Sequence, residues 1–280
     1  MLIPICVDAY AEAPGGGTFV NVDVVADVGN SRIKWGVCAK QGVTASASLP
    51  PGEPAAWDAR LSDWGLTGSL IWAIGGVHPG NLEGLLEWLR GRGDTVRLLN
   101  RYDQLPIKVL ADPPERVGLD RLFNAVAANA RLRRGAKNRR ARAAVIIDAG
   151  TAVTVDLISP DGAFEGGAIF PGRRLMAAAL HDYTALLPLV LGSEASPPPV
   201  GKNTTTAIEA GIHYAVAGGI NQLIRRQLGA HFQRAGRLAK PAVFLTGGDA
   251  PLLQHSIDYR AVLWPEMTLE GLRLSAEALS

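Results

Sequence analysis

The sequence predicts an α/β protein made of two similar domains, each a mixed sheet flanked by helices. An apolar strand that ends at an aspartate, a glycine turn and a returning alternating strand occur at Val20–Val37 and again at Val145–Leu157. The aspartates of the two units, Asp27 and Asp148, are 121 residues apart in a chain of 280. Helical periodicity fills the intervals between the strands. A repeat of nearly half the chain predicts a duplication rather than one long sheet.

Composition restricts the class of protein. Hydrophobic residues make up 48% and charged residues 19%, and the 32 glycines and 18 prolines are scattered, which excludes disorder, collagen and coiled coil as the main organisation. A net charge of +2 is too small to favour a nucleic-acid partner for the whole surface. No apolar stretch reaches the length of about 20 residues that a membrane-spanning helix needs. We therefore expect a protein with no membrane association.

The two cysteines predict the cellular location of the protein, and the N-terminal segment predicts where the folded part of the chain begins. Cys6 and Cys38 have neither metal-ligand nor CxxC spacing, which favours a reducing, cytoplasmic location. Residues 1–18 end in three glycines and are predicted to be a mobile leader. The predicted domains are residues 19–130 and 131–280.

The first repeat unit carries a candidate phosphate site. Alternation of side chains predicts a strand over Val20–Asp27. Gly29-Asn30 predicts a tight turn, and the alternating Ile33, Trp35 and Val37 predict the returning strand of a hairpin. Residues Asp27–Lys34 place a carboxylate, glycine backbone, a hydroxyl and an ammonium at one hairpin tip. Such a set suits a metal-bound polyphosphate, although the same residues are also a common turn.

The second repeat unit strengthens the phosphate interpretation. Val145–Ile147 is a buried strand that ends at Asp148, followed by Gly150-Thr151 and the alternating Val153, Val155 and Leu157. An aspartate at the end of a buried strand is costly unless something satisfies it, so a ligand is favoured over a simple hairpin. Two such tips facing each other grip the phosphates of a nucleotide from both sides. Because GxxxxGK[ST] is absent from the sequence, a P-loop kinase is not favoured.

Helical periods predict four core-facing helices, and one of them begins at a third candidate motif. The apolar positions are Leu82, Leu85, Leu86 and Leu89; Leu122, Val126 and Ala130; Ile208, Ile212, Ala215 and Ile220; and Leu269, Leu272, Ala276 and Leu279. Gly118–Arg121 opens the second helix. Asp120 there either caps the helix or accepts a proton from a substrate hydroxyl, and Arg121 beside it suits an anion. Together they favour phosphorylation of an alcohol that also carries a carboxylate.

With these motifs in this order, the chain resembles the type III pantothenate kinases of the acetate kinase, sugar kinase, Hsp70 and actin superfamily. The resemblance runs from about residue 20 to the C-terminus. It rests on five motifs and a weaker sixth: Asp27–Lys34, Gly118–Arg121, Asp148–Asp156, Gly166–Gly172, Thr246–Gly248 and Gly201–Thr204. It implies ribonuclease H-like (actin-like) domains and ATP-dependent phosphorylation of pantothenate to 4'-phosphopantothenate, the first step of coenzyme A synthesis. It also implies a homodimer whose interface helps to build the substrate site.

The resemblance assigns roles to residues of this chain. Asp120 would be the catalytic base. Asp27 would hold Mg²⁺, and Asp148 would hold the monovalent cation, K⁺ or ammonium. The residues implied to bind ATP and its phosphates are Asp27, Val28, Gly29, Asn30, Ser31, Lys34, Gly150, Thr151, Gly247 and Gly248. The residues implied to bind pantothenate are Gly118, Leu119, Asp120, Arg121 and Thr204.

Two positions depart from the family pattern. Ser31 stands where threonine is common, which keeps the hydroxyl. A substrate-contacting tyrosine that the family commonly carries before Gly-x-Asp-Arg is missing near Ala111, and Tyr102 and Tyr183 are the candidates to replace it.

Other interpretations stay open. The five histidines are assigned no role, and the basic segment 131–142 is interpreted as a solvated loop, since it lacks interleaved aromatic residues. The alternatives for function are another kinase or phosphohydrolase of the superfamily, or a non-catalytic accessory factor for transcription.

Overall fold

The structure is a computed structural model that describes residues 22–76, 78–134, 142–192, 196–235 and 240–279. The predicted leader, residues 1–18, and positions 135–141 of the basic segment lie outside the described residues. Within the described ranges no helix is both long enough and apolar enough to cross a membrane.

Ten strands and seven helices make up the described chain. The strands are β1 (Val24–Val28), β2 (Ile33–Ala39), β3 (Gly42–Leu49), β4 (Ile71–Gly76), β5 (Thr95–Leu99), β6 (Ala144–Ala149), β7 (Ala152–Ile158), β8 (Phe164–Pro171), β9 (Ala242–Thr246) and β10 (Ala261–Leu263). The helices are α1 (Pro54–Asp63), α2 (Pro79–Arg92), α3 (Leu119–Arg134), α4 (Arg173–Asp182), α5 (Thr204–Ala235), α6 (Ala250–Leu253) and α7 (Met267–Ala278).

The strands form two five-stranded sheets with the same plan. The first has the order β3-β2-β1-β4-β5 and the second, read from its opposite edge, β8-β7-β6-β9-β10. In each sheet the first three strands are antiparallel and the last two run parallel to the central strand. β1 and β6 are therefore equivalent central strands. The predicted α/β fold with two duplicated mixed sheets flanked by helices is confirmed.

The two aspartates occupy equivalent places, but both predicted strands ended one residue too early, and Val22 and Asp23 lie outside β1, contrary to the predicted start. β1 continues through Val28 and β6 through Ala149, so each aspartate is the penultimate residue of its strand. Asp27 pairs with Lys34 of β2 and Gly75 of β4, while Asp148 pairs with Thr154 of β7 and Thr246 of β9. The strands extend further because the backbone of the extra residue still pairs with the returning strand of its hairpin.

The sheets and helices stack in five layers. Helices α1 and α2 cover the outer face of the first sheet, where they enclose four tryptophans, Trp35, Trp57, Trp72 and Trp88. Helix α5 covers the outer face of the second sheet. Helices α3 and α7 lie between the sheets, in a core that includes Val25 of one sheet and Ile146 of the other. The domain boundaries 19–130 and 131–280 stay a prediction. Helix α7, which belongs to the second predicted domain, packs against β1 of the first.

The predicted helices are present, with two errors in their buried faces. Ala215 in α5 is exposed, and Val216 is buried in its place because the buried stripe follows steps of four residues, Ile208, Ile212, Val216 and Ile220. Leu279 lies beyond the end of α7 and is half exposed. The first four residues of the basic segment, 131–134, belong to the last turn of α3, so the solvated-loop interpretation does not hold for them.

Candidate active site

The predicted tips and the start of α3 meet in one cluster of charges. The charges of Asp120 and Asp148 both act on Asp27, and that of Asp120 acts on Asp148 as well. Lys34, across the ladder from Asp27, acts on both hairpin aspartates. Three carboxylates and one ammonium from four separate elements therefore lie near one another, between the two sheets.

Burial changes the ionisation of the two hairpin aspartates. It raises the pKa of Asp27 to about 7, opposed by Lys34 and assisted by Asp120 and Asp148. Burial also raises the pKa of Asp148, opposed by Lys34 and by a hydrogen bond from Asn124. The protein interior disfavours these negative charges, so a cation placed between the carboxylates is stabilised.

The first tip is held by the start of α2. Gly29 N–H donates to the carbonyl of Arg32 at 3.1 Å and closes the loop. The Asn81 amide donates to the carbonyl of Gly29 at 2.9 Å, and His78 Nδ1 caps the helix by accepting from the Asn81 backbone at 3.1 Å. Val28 is fully buried, so it offers a ligand only its backbone. Asn30 and Ser31 are exposed at the tip.

The second tip is shorter and is packed by two glycine turns. Gly150 and Thr151 alone join β6 to β7, and Gly172 N–H donates to the carbonyl of Thr151 at 2.9 Å. Gly247 has φ +96°, and a methyl group there would lie 2.4 Å from the carbonyl oxygen of Ala149. Gly248 has open space around it. The turn after β9 thus folds tightly over the end of β6, which only glycine permits at Gly247.

Asp120 is fixed in the first turn of α3. The backbone N–H of Arg121 donates to Oδ1 of Asp120 at 2.9 Å. A methyl group at Gly118 would lie 2.6 Å from the same oxygen, so glycine leaves the carboxylate its space. Oδ2 makes no hydrogen bond within the described ranges and is the oxygen left to accept a proton. Leu119 is buried and presents its backbone.

The sequence profile of the type III pantothenate kinases matches residues 24–226, more than half of the chain. The chain belongs to the type III pantothenate kinase family. A type III pantothenate kinase of Alkalilimnicola ehrlichii is 33% identical over 254 residues, which cover 89% of this chain and 95% of that protein. One from Gluconobacter oxydans is 33% identical over 265 residues, which cover 91% of this chain and 92% of its own length.

Solved structures with a similar backbone are more distant. The activator of 2-hydroxyisocaproyl-CoA dehydratase from Clostridium difficile, solved with bound ADPNP, has 14% sequence identity and a TM-score of 0.45. The match covers 91% of this chain and 92% of that one.

Two residues that the resemblance to the type III pantothenate kinases assigns to pantothenate have other surroundings in this structure. Arg121 forms an ion pair with Asp156 of β7, in which its Nε lies 3.1 Å from each carboxylate oxygen. Thr204 is exposed at the start of α5 and makes no hydrogen bond with Asp120 in the described chain. Neither placement tests the assigned roles, which stay predictions.

The candidates for the missing tyrosine contact are also placed. Ala111 follows a segment that pairs with Phe164 of β8, through Leu110 N–H and the carbonyl of Phe164 at 2.8 Å. Tyr102 packs against the core between the sheets, and Tyr183 is exposed after α4.

Sequence reasoning missed a buried amide behind the aspartates. Asn124 Nδ2 donates to Asp148 Oδ2 at 3.2 Å, and Thr268 of α7 donates to Asn124 Oδ1 at 2.9 Å. This pair of bonds fixes the orientation of the amide and ties β6 to both central helices. The available signal was position: Asn124 lies four residues after Asp120, on the same face of α3.

The atoms of the cluster that could coordinate a metal ion are carboxylate oxygens, which suit hard cations. No group of three or more His, Cys, Asp or Glu residues placed to hold a metal ion occurs within the described residues. Magnesium at kinase sites is usually held by one or two carboxylates together with substrate phosphates and water, so Asp27 and Asp148 fit such a cation without a full protein cage.

Proposed function

We propose that this protein transfers the γ-phosphoryl group of ATP to the hydroxyl of pantothenate, forming 4'-phosphopantothenate, the first committed compound of coenzyme A synthesis. The observation that carries the proposal is the placement of Asp120 in the same charge cluster as both hairpin tips. A phosphate site and a proton acceptor in one cluster are what phosphoryl transfer to an alcohol requires. Membership of the type III pantothenate kinase family supports pantothenate as that alcohol.

The backbone of both tips and Lys34 would bind the phosphates of ATP. Gly29 and Gly150 bond their own N–H groups to Arg32 and Ala152, so the N–H groups of the next residues, Asn30 and Thr151, would face the phosphates. Lys34 supplies the positive charge beside both aspartates. Gly248, with open space around it, would let the adenine approach the backbone. The assignments to Val28, Asn30, Ser31, Thr151 and Gly247 belong to the same proposal.

Asp120 would act on the acceptor. Its Oδ2 takes the proton of the pantothenate hydroxyl as the hydroxyl oxygen bonds to the γ-phosphorus and the bond from that phosphorus to ADP breaks. Arg121 N–H holds Oδ1, so the free oxygen has a fixed direction. Asp27 would hold Mg²⁺ and Asp148 a monovalent cation, K⁺ or ammonium, which neutralise phosphate charge when bound. Gly118 and Leu119 would contact the substrate through their backbone.

A coupled assay of ADP release with pantothenate, ATP and Mg²⁺, with and without K⁺, tests the proposal. We expect turnover that needs pantothenate and increases with K⁺ or ammonium. Asp120→Asn is expected to lower kcat by about a hundredfold or more, because the proton acceptor is lost, while nucleotide binding is retained. Asp63→Asn, at the exposed end of α1, is the matched control. Full turnover of Asp120→Asn would exclude the assigned base.

The same assay separates the alternatives. Turnover of ATP with a sugar instead of pantothenate, or hydrolysis without an acceptor, would indicate another enzyme of the superfamily. Absence of any turnover together with salt-sensitive DNA binding would indicate the accessory-factor role. We place the enzyme in the cytoplasm because its donor is ATP.

A homodimer is part of the proposal. Helix α4, residues 187–190 and the first half of α5 pack together in a small apolar cluster. The outer side of this region carries large exposed apolar residues, Tyr183 at 88% and Leu186 at 92% exposure among them. The others are Ile169, Leu175, Leu189, Leu191, Val200 and Tyr214. A patch of this kind is typical of a protein interface.

Burying this patch against a second copy would also explain the position of Thr204. Because Thr204 is exposed and unconnected to Asp120 within one chain, we propose that it serves the acceptor site of the partner subunit. Leu186→Asp and Leu191→Asp together are expected to give a monomer by light scattering, with ATP binding kept and turnover lost. A dimer that survives these changes, or a fully active monomer, would contradict this arrangement.

A further inference from the structure

Asp156 holds the side chain of Arg121 beside the proton acceptor. Nε of Arg121 lies 3.1 Å from both oxygens of Asp156, and Nη2 donates to Oδ1 as well. The guanidinium carbon lies 5.3 Å from the ring centre of Phe164, beneath the ion pair. The Asp156 side chain is 1% exposed and that of Arg121 13%. The hydrogen bonds from two guanidinium nitrogens to one carboxylate, together with the aromatic ring, hold the guanidinium in a single orientation.

The neighbouring strand leaves room for this carboxylate. Gly167 of β8 lies directly across the ladder from Asp156. A methyl group at Gly167 would lie 2.1 Å from Asp156 Oδ1 and 2.3 Å from the carbonyl of Val155, so no larger residue fits without displacement. Gly167 thus provides the space in which Asp156 meets Arg121.

Burying this ion pair costs free energy of folding, so its presence calls for a reason other than stability. Burial raises the pKa of Asp156, and the hydrogen bonds and charge of Arg121 oppose that rise. Buried ion pairs are often no more stabilising than apolar residues of the same volume. A pair of this kind next to a candidate catalytic residue points to function more than to stability. The charge of Asp120 also acts on Asp156, which places the pair at the acceptor side of the cluster.

One end of the guanidinium is left for a ligand. Nε and Nη2 are committed to Asp156, whereas Nη1 makes no hydrogen bond with any residue that the structure describes. We propose that Asp156 is a positioning residue that directs Nη1 of Arg121 at the carboxylate of the acceptor and so sets the preference for an acid over a neutral amide. The inference rests on the proposed function and adds to it the residue that fixes acceptor specificity.

The test compares kcat/KM for pantothenate with that for its neutral primary amide. The wild-type protein is expected to prefer the acid by about tenfold to a hundredfold, the usual effect of one hydrogen bond between charged groups. Asp156→Asn is expected to reduce this preference to less than about threefold through a higher KM for pantothenate. Its KM for ATP should stay within about twofold of wild type, and its kcat/KM for the amide should fall by a smaller factor than that for pantothenate, because the amide has no carboxylate for Arg121 to bind.

Controls separate positioning from folding. Asp258→Asn breaks an exposed Arg–Asp pair with Arg225, 3.3 Å apart, and should leave the preference unchanged. Phe164→Leu keeps both charges and removes the ring under the guanidinium, and it should weaken the preference if Asp156→Asn does not fold. A wild-type protein that phosphorylates no pantothenate would refute the proposed function. Equal loss for both acceptors in the variants, an unchanged preference, or a wild type without preference would overturn this inference alone.

Discussion

Replacing Asp27 by asparagine measures what its charge costs the folded protein. Its carboxyl has a pKa of about 7 against an ordinary value of 3.8, because it is buried. At about 1.4 kcal/mol per pKa unit, this difference means that the ionised side chain destabilises the folded state by about 4 kcal/mol. The folded-state pKa is raised, so the cost is complete above pH 7, shrinks as the pH falls and vanishes below 3.8.

Urea unfolding of Asp27→Asn and wild type at two pH values is the assay. We expect the variant to be more stable by about 4 kcal/mol at pH 8 and by about 2 kcal/mol at pH 5. The variant should also lose the rise in melting temperature that Mg²⁺ and ATP give the wild type. Asp63→Asn, whose side chain is 63% exposed, should show no such pH dependence. A stability difference that is absent at pH 8, or equal at both pH values, would refute the argument from burial.

Three further predictions, which use four substitutions, test the supports of the site. Asn124→Ala removes two buried hydrogen bonds, so the free energy of unfolding in urea should fall by about 2 kcal/mol. Because the lost bond lowers the pKa of Asp148, the pH profile of kcat/KM should move to higher pH. An unmoved profile would contradict the contact between Asn124 and Asp148. Gly247→Ala should lower the melting temperature, since a methyl group meets a carbonyl 2.4 Å away, whereas Gly248→Ala in open space should not; equal melting temperatures would argue against the tight turn. Asn81→Ala frees the carbonyl of Gly29 and should raise KM for ATP several-fold in the coupled assay, with KM for pantothenate unchanged.

The sequence predicted the parts of the fold whose signal is local. Alternation and the Asp-x-Gly turns identify both hairpins, and four-residue spacing identifies the long helices. The sequence analysis missed the four edge strands, β3, β5, β8 and β10. β10 has three residues and β5 alternates weakly, whereas β3 and β8 alternate but contain several alanine, serine or glycine residues, which have low strand propensity. Helix α1 buries only Trp57 and Leu61, too few for a clear period.

The same distinction applies to the site. Asp27, Asp120 and Asp148 each lie in a short motif with turn or helix-start chemistry, so the sequence identifies them. Asn124 and Asp156 act through partners far along the chain, Thr268 at 144 residues and Arg121 at 35 residues. Such pairs depend on how helices pack between the sheets, which no local pattern contains.

The duplicated hairpins share a backbone plan but differ in charge. Across the ladder from Asp27 lies Lys34, and at the equivalent position across from Asp148 lies Thr154. The single lysine therefore serves both aspartates, with Asp120 as a third carboxylate in the cluster. With all three ionised, this set carries a formal charge of −2 before a triphosphate arrives. We therefore expect cations on both sides of the cluster when the triphosphate binds. The monovalent cation that the family resemblance implies at Asp148 would lie beside the hairpin that has no lysine of its own.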